Sequence, residues 1–191
     1  MVVDIIGSGI TSNSYDWTRR SYKWGVTSSY RKLGDKIDLY FSMHQDQKIG
    51  NQRVPEMTLD TYPLRAIIEK YDSDYFSCSP AYMIAYALFT GAKEINIYGI
   101  DMEANSEYNY ERPCVAYWMG MAKALGCKVY HASGFGKSTM RYGYNTGALF
   151  TILDERIKAC TEAMKDCKME DKAQWLGART AYEKMVEIIR S

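Results

Sequence analysis

Val2-Val3-Asp4-Ile5-Ile6-Gly7-Ser8-Gly9 decides the fold of this chain. The β-branched run reads as a short buried strand, interrupted only by the charge of Asp4, that runs straight into a glycine-rich turn. A strand ending in such a turn is how nucleotide-binding α/β domains usually open. In Gly7-Ser8-Gly9-Ile10-Thr11-Ser12 the glycines let backbone approach a ligand closely, and the N–H and hydroxyl groups that follow suit an anion. The same residues also suit a plain tight turn. The third glycine of the dinucleotide fingerprint is missing, and Thr27-Ser28-Ser29 stands after the second strand where an acidic residue belongs. NAD-type binding is therefore not expected.

Working outward, residues 23–26 and 37–43 read as the second and third strands, the latter rich in β-branched and aromatic residues. Residues 45–61 are polar and irregular and read as a long loop. Residues 63–70 form a helix with Pro63 at its first position, and Ser79-Pro80 repeats that start signal before an almost wholly apolar helix over 81–90. Gly91 ends it. Residues 94–100 are the next strand, with little polar alternation, as a central strand should have. A tyrosine-rich loop over 105–112, a helix over 113–125 and a strand over 128–131 complete the series. This order predicts an α/β protein with a doubly wound, mostly parallel five-stranded sheet. Residues 148–168 and 170–190 read as a helical hairpin carrying much of the local charge alternation. The predicted organisation is a domain over 1–147 and a hairpin over 148–191. The hairpin either packs on that domain or serves a homo-oligomer.

Composition narrows the function classes. With 24 basic and 23 acidic residues in 191, the net charge is +1, which excludes nucleic-acid binding driven by overall charge. No apolar run reaches the roughly 18 residues of a membrane span, and the N-terminus lacks a signal-peptide pattern, so the expected compartment is the cytoplasm. The five cysteines are odd in number and none are in CxxC spacing; with two histidines they do not spell a zinc site, and they read as reduced, small hydrophobes. Seventeen tyrosines offer flat faces and hydroxyls that suit planar ligands or oligomer contacts.

Four further features bear on chemistry. Gly99-Ile100-Asp101-Met102 closes the central strand. In an open α/β sheet the strands' carboxyl ends line the ligand crevice, which makes Asp101 a candidate base, hydroxyl acceptor or metal ligand, or else a helix cap. Ser79 would aim the start of its buried helix at the same crevice. Glu107, Tyr108, Tyr110, Glu111 and Arg112 follow as a lid. His44, ending the third strand, is the acid/base candidate by its titration range, and His131, ending the last strand, is the weaker one. Gly136-Lys137-Ser138-Thr139 ends like a phosphate-binding P-loop, but the required first glycine falls on His131 and no apolar helix follows, so a P-loop is rejected.

Together, Ser79-Pro80-Ala81-Tyr82-Met83, Gly91-Ala92-Lys93-Glu94-Ile95 and Tyr98-Gly99-Ile100-Asp101-Met102 resemble the central block of a Rossmann-like superfamily. It includes Campylobacter-type bacterial sialyltransferases and archaeal pterin pyrophosphokinase-like proteins. The first loop resembles the G-x-G-P-S loop of that group, with Ile10-Thr11 in place of Pro-Ser. Trp24 to Tyr30, Met43-His44, Tyr62-Pro63-Leu64 and Glu107-Tyr108-x-Tyr110-x-Arg112-Pro113 are similar to small phage-encoded proteins of unassigned function. The resemblance spans about residues 1–133 and implies a nucleotide-binding crevice in a host bacterial cytoplasm. In the sialyltransferase branch the first loop and the serine matching Ser79 hold the nucleotide donor, and the residue matching Thr27, next to Ser28 here, also contacts it. That branch's lid carries a catalytic histidine, whereas the short segment around Tyr108 to Arg112 has none. The pyrophosphokinase branch uses ATP and Mg²⁺, which Asp101 would have to serve without a carboxylate cluster. The implied function is a nucleotide-dependent glycosyl- or phosphoryl-transferase, with Asp101, Glu107 or His44 as acid/base and Gly99, Tyr108, Tyr110 and Arg112 among the ligand contacts. The alternative is a non-catalytic protein that sequesters a nucleotide immune signal of the host.

Overall fold

The computed structural model describes residues 1–45, 49, 54–102, 108–135 and 146–190. The chain divides into two compact units, Met1–Gly136 and Lys137–Ser191. The first is built on a sheet of strands β1 (Val2–Ile6), β2 (Tyr22–Val26), β3 (Leu39–Ser42), β4 (Glu56–Thr58), β5 (Glu94–Tyr98) and β6 (Lys128–His131). Their order is β4-β3-β2-β1-β5-β6 and every pairing is parallel. The sheet thus has six strands where five were expected. The extra one, β4, lies within the stretch read as a loop and pairs Tyr40 with Glu56 and Ser42 with Thr58. Three residues are too short to show the period-2 pattern that reveals a strand.

Helices α1 (Tyr30–Leu33), α2 (Leu64–Tyr71), α3 (Ser79–Phe89) and α4 (Tyr108–Ala124) complete this unit, with 3-10 turns at Ile10–Ser14, Thr27–Ser29 and Gly34–Lys36. One face of the sheet presents Val3, Ile5, Trp24, Phe41, Ile95 and Ile97 to Ile67 of α2, to Met83, Ile84 and Ala87 of α3, and to Val115 and Trp118 of α4. The other presents Ile6, Tyr40 and Tyr98 to Tyr15, Leu33 and Ile37. Both faces are therefore covered, which explains why the central strands read as near-continuous apolar runs. Many of the tyrosines serve this packing. Phe76 stacks between Tyr82 (4.5 Å) and Trp118 (5.0 Å), and Tyr62 meets Tyr82 edge-on at 5.0 Å. All five cysteines are free, and Cys78, Cys114, Cys127 and Cys160 are buried.

Several helix starts differ from expectation: Pro63 is the N-cap of α2 and not its first residue, the helix expected from residue 148 starts at Thr146, and two further shifts bear on the site. Helix α3 begins at Ser79 with Cys78 as its N-cap, so the Ser79 hydroxyl makes no capping bond. Helix α4 begins at Tyr108, so Tyr108, Tyr110 and Arg112 form its first turns rather than a lid loop. Pro113 read as the first helical position because its missing N–H is harmless there. The extra turn before it is held instead from outside, by Ser77 Oγ donating to the Tyr110 carbonyl at 3.2 Å.

The second unit holds α5 (Thr146–Asp166) and α6 (Met169–Arg190), packed against each other with Leu153, Cys160 and Val186 buried. Ile152, Leu176 and Ile188 are exposed. Every residue of the two core clusters described above lies within Met1–Gly136. A chain ending at Gly136 is therefore expected to fold. It should keep its near-ultraviolet circular dichroism and one cooperative urea transition; a flat near-ultraviolet spectrum would show that the sheet needs the helical pair.

Candidate functional site

Strands β1 and β5 are neighbours at the middle of the sheet. From β1 the chain builds outward through β2, β3 and β4, then returns to β5 and β6 on the other side. Their carboxyl ends thus mark the topological switch point, where such sheets open a ligand crevice. Here the two departing loops are sewn together. Gly7 N–H donates to the Tyr98 carbonyl (2.8 Å), Gly9 N–H to the Gly99 carbonyl (2.9 Å), and Gly99 N–H to Thr11 Oγ1 (2.7 Å). A Cβ on Gly7 would overlap the Gly99 carbonyl oxygen, and one on Gly99, whose φ is +64°, would stand 2.5 Å from the Gly7 oxygen. Both glycines therefore serve the approach of loop to loop.

Asp101 sits on this seam. Its carboxylate accepts the Thr11 N–H at 3.2 Å and the Thr11 hydroxyl, and a Cβ on Gly9 would stand 2.5 Å from its Oδ2. It braces the 3-10 turn that follows the first loop, the capping role left open by the sequence. Met102, next in the chain, has a buried side chain and a φ of +53°. A bulky residue in the left-handed region is strained, and such strain concentrates at functional loops.

The first loop also carries a cation that the sequence reading passed over. Lys32 of α1 donates from Nζ to the Ser8 carbonyl (3.2 Å), Ser12 Oγ (2.7 Å) and Asn13 Oδ1 (3.2 Å). Among the described residues no carboxylate pairs with it. Ser12 is buried and returns its own hydrogen to the Gly9 carbonyl at 2.7 Å, whereas Ser8 is exposed. Just beyond β2, Thr27 Oγ1 lies 2.9 Å from the Phe41 carbonyl and donates to Ser42 Oγ at 2.7 Å, which in turn donates to the Glu56 carboxylate. Thr27 is thus tied to the end of β3, and Ser28 is exposed. His44 is exposed just beyond β3, and Ser79 is half-buried.

On the far side, Arg112 Nη1 donates to the Met102 carbonyl at 2.8 Å, and its guanidinium lies 5.1 Å over the Phe135 ring. Tyr110 is 78% exposed in the first turn of α4. Glu107, the Tyr108 side chain and the Gly136-Lys137-Ser138-Thr139 segment lie outside the described residues. His131, the lesser sequence candidate, is 4% exposed at the end of β6. Its Nδ1 meets Ser133 Oγ at 3.0 Å, and its ring lies 5.3 Å from Phe135. Burial holds its pKa down at about 4, against the opposing pull of Asp101 and the Ile100 carbonyl.

An open groove of about 460 Å³, lined by Val2, Arg20, Ser21, Tyr22 and Asp38, lies at the opposite, amino-terminal end of β1 and β2. It touches none of these residues. Among the described residues no three carboxylate, imidazole or thiol groups converge as metal ligands. The Asp101 carboxylate is engaged by Thr11, and Glu103 and Glu107 lie outside the described residues. Among the same residues no helix is long and apolar enough to cross a membrane.

Fold and seam define the class: a Rossmann-like α/β protein with a parallel six-stranded sheet and polar loops gathered at its switch point. Comparison with family models, curated proteins and solved structures finds no match to the chain.

Proposed function

We propose that the protein binds a nucleotide or nucleotide-derived small molecule at the carboxyl ends of β1, β2 and β5. The observation that carries this is the Lys32 ammonium, held against the first loop by three neutral oxygens, with Ser8 of that loop exposed and Ser28 exposed just beyond β2. A cation that has no carboxylate partner among the described residues and lies next to exposed hydroxyls suits a phosphate group. Asp101, Glu107 or His44 is the acid/base of a glycosyl- or phosphoryl-transfer reading. The double engagement of Asp101 by Thr11 counts against Asp101 in that role and supports the second reading, in which the nucleotide is held and not turned over.

Calorimetry with a panel of nucleotides, nucleotide sugars and cyclic dinucleotides tests the site. At least one is expected to bind, and Lys32→Ala is expected to weaken it about ten-fold or more through loss of the ammonium charge beside the phosphate. No binding across the panel, or equal binding by the variant, overturns the proposal. Chromatography of the recovered ligand then separates the two readings: altered ligand means transfer, intact ligand means sequestration.

A further inference from the structure

The described residues contain a single buried side-chain nitrogen or oxygen without a hydrogen-bond partner, and it is His131 Nε2. Leaving such an atom unpaired costs about 1–3 kcal/mol, so its presence in a packed domain calls for a reason. The other ring nitrogen is accounted for. Ser133 Oγ accepts the Phe135 N–H at 3.4 Å and meets His131 Nδ1 at 3.0 Å. In the tautomer in which Ser133 donates to Nδ1, the ring proton resides on Nε2 as an unmatched donor.

What surrounds that donor narrows what would satisfy it. His131 pairs with Ile97 across the ladder, so its ring lies at the carboxyl end of β6, next to the β5 end that carries Ile100 and Asp101. The Asp101 charge acts on the ring, and the Ile100 carbonyl approaches it as a weak acceptor that falls short of a well-formed hydrogen bond. Half-buried Phe135 stands beside it, with the exposed Arg112 over the same phenyl ring. A group that meets Nε2–H must accept, and one that also meets the neighbouring carboxylate must donate. A phosphate oxygen accepts but would face a like charge at Asp101. A hydroxyl does both.

We propose that His131 and Asp101 form a hydroxyl-binding pair in the switch-point crevice, in which a sugar hydroxyl of the ligand accepts from Nε2–H and donates to the Asp101 carboxylate. This rests on the nucleotide reading above and deepens it: Lys32 meets the phosphate, and His131 with Asp101 meets the sugar. It gives His131, which merely ends a strand in the sequence, a ligand-contacting role.

The test uses the whole protein, the four common ribonucleoside monophosphates, their 2′,3′-dideoxy counterparts and free ribose. The chain has only two histidines, so a His44→Gln variant assigns the His131 ring signals in ¹⁵N magnetic resonance. A ribonucleotide is expected to shift the His131 Nε2 signal and to bind at least about ten-fold more tightly than its dideoxy form. His131→Phe should remove that discrimination, and His131→Gln, which keeps an N–H near the Nε2 position, should restore part of it. If His131→Phe does not fold, the ring signals of the wild-type protein decide alone. Nucleotides that bind without moving the His131 signal, or that bind equally with and without their hydroxyls, overturn this inference and leave the nucleotide reading standing. Absence of binding by every nucleotide, with no response to ribose, overturns both.

Discussion

Replacing Asp4 by alanine is expected to cost the protein about 3–5 kcal/mol, the range found when one member of a buried charge network is removed. Asp4 is fully buried in the central strand. Its carboxylate accepts from Tyr15 Oη (2.7 Å), Ser21 Oγ (2.6 Å), Asn96 Nδ2 (2.8 Å) and Arg19 Nε (3.2 Å). Arg19 also reaches Glu94 at 3.2 Å, and this guanidinium is only partly exposed. Alanine would leave these donors facing an apolar void, and with total stabilities of about 5–15 kcal/mol such a loss is a large share. Asp4→Asn keeps the shape but sets an amide donor among donors, and a smaller loss of about 1–3 kcal/mol is expected. Urea unfolding measures both; an alanine variant within 1 kcal/mol of wild type would show that the network is no more than neutral.

The pH dependence separates this network from His131. Burial alone pushes the Asp4 carboxyl up, but the bonds from Ser21, Asn96 and Tyr15 and the Arg19 charge outweigh it and hold the pKa below the usual carboxylate value. The folded state therefore binds this proton less readily than the unfolded chain. The contribution is complete above the unfolded value of 3.8 and is lost as pH falls below it towards the folded value. His131 acts earlier. Its folded pKa of about 4 against 6.5 means the unfolded chain takes the proton first, so stability declines from pH 6.5 to about 4. That decline amounts to about 3 kcal/mol at most. Asp4→Asn should flatten the lower limb of the stability curve, and His131→Gln the upper one.

What the sequence disclosed follows from how local each signal is. β1 and β5 are legible because burial on both faces leaves near-continuous apolar runs. Asp4 and Asn96 are the polar interruptions of those runs, and they pair across the ladder. Gly7, Gly9, Gly99 and Asp101 were found as candidates because strand polarity gathers the carboxyl ends of a parallel sheet. Their mutual contacts were not, since a glycine's neighbour ninety residues away leaves no mark in its own segment. Lys32 escaped notice for the same reason: it lies on a helix of four residues and reaches Ser8 only through the fold. Helix α4 was begun too late because Pro113 imitates a first position, and the bond from Ser77 that holds the preceding turn is non-local. The open Nε2 of His131 depends on Ser133 and Phe135, close in sequence, and on Ile100 and Asp101, far from it.

The largest effect is expected at Gly7. Its N–H bonds the Tyr98 carbonyl at 2.8 Å, and its α-carbon faces the Gly99 carbonyl with no room for a methyl group. An alanine Cβ there would overlap the Gly99 oxygen and come within 2.9 Å of both Gly99 C and Ile100 Cγ1. These are mainly backbone atoms of a neighbouring strand end, so no rotamer change relieves the clash. The loops must part, and the bonds from Gly7 to Tyr98 and from Gly9 to Gly99 go with them. Overpacking of about 1–3 kcal/mol, added to two buried bonds left open at about 1–3 kcal/mol each, brings the expected loss for Gly7→Ala to about 4 kcal/mol or more. Gly99→Ala should do as much, because its Cβ meets the Gly7 oxygen at 2.5 Å and its φ of +64° is itself unfavourable for alanine. Gly9→Ala should behave differently. The nearest atom to its Cβ is the end of a side chain, Asp101 Oδ2, which can swing away from Thr11. The Gly99 carbonyl oxygen, 2.9 Å from the same Cβ, is backbone and yields less easily, so that variant should lose the Asp101 brace and strain the bond from Gly9 to Gly99, at a smaller cost than Gly7→Ala, while disturbing the proposed ligand binding beside it. Thermal unfolding of the three variants checks the ranking, and a Gly7→Ala protein that melts with the wild type would mean that the first loop stands clear of β5 in solution.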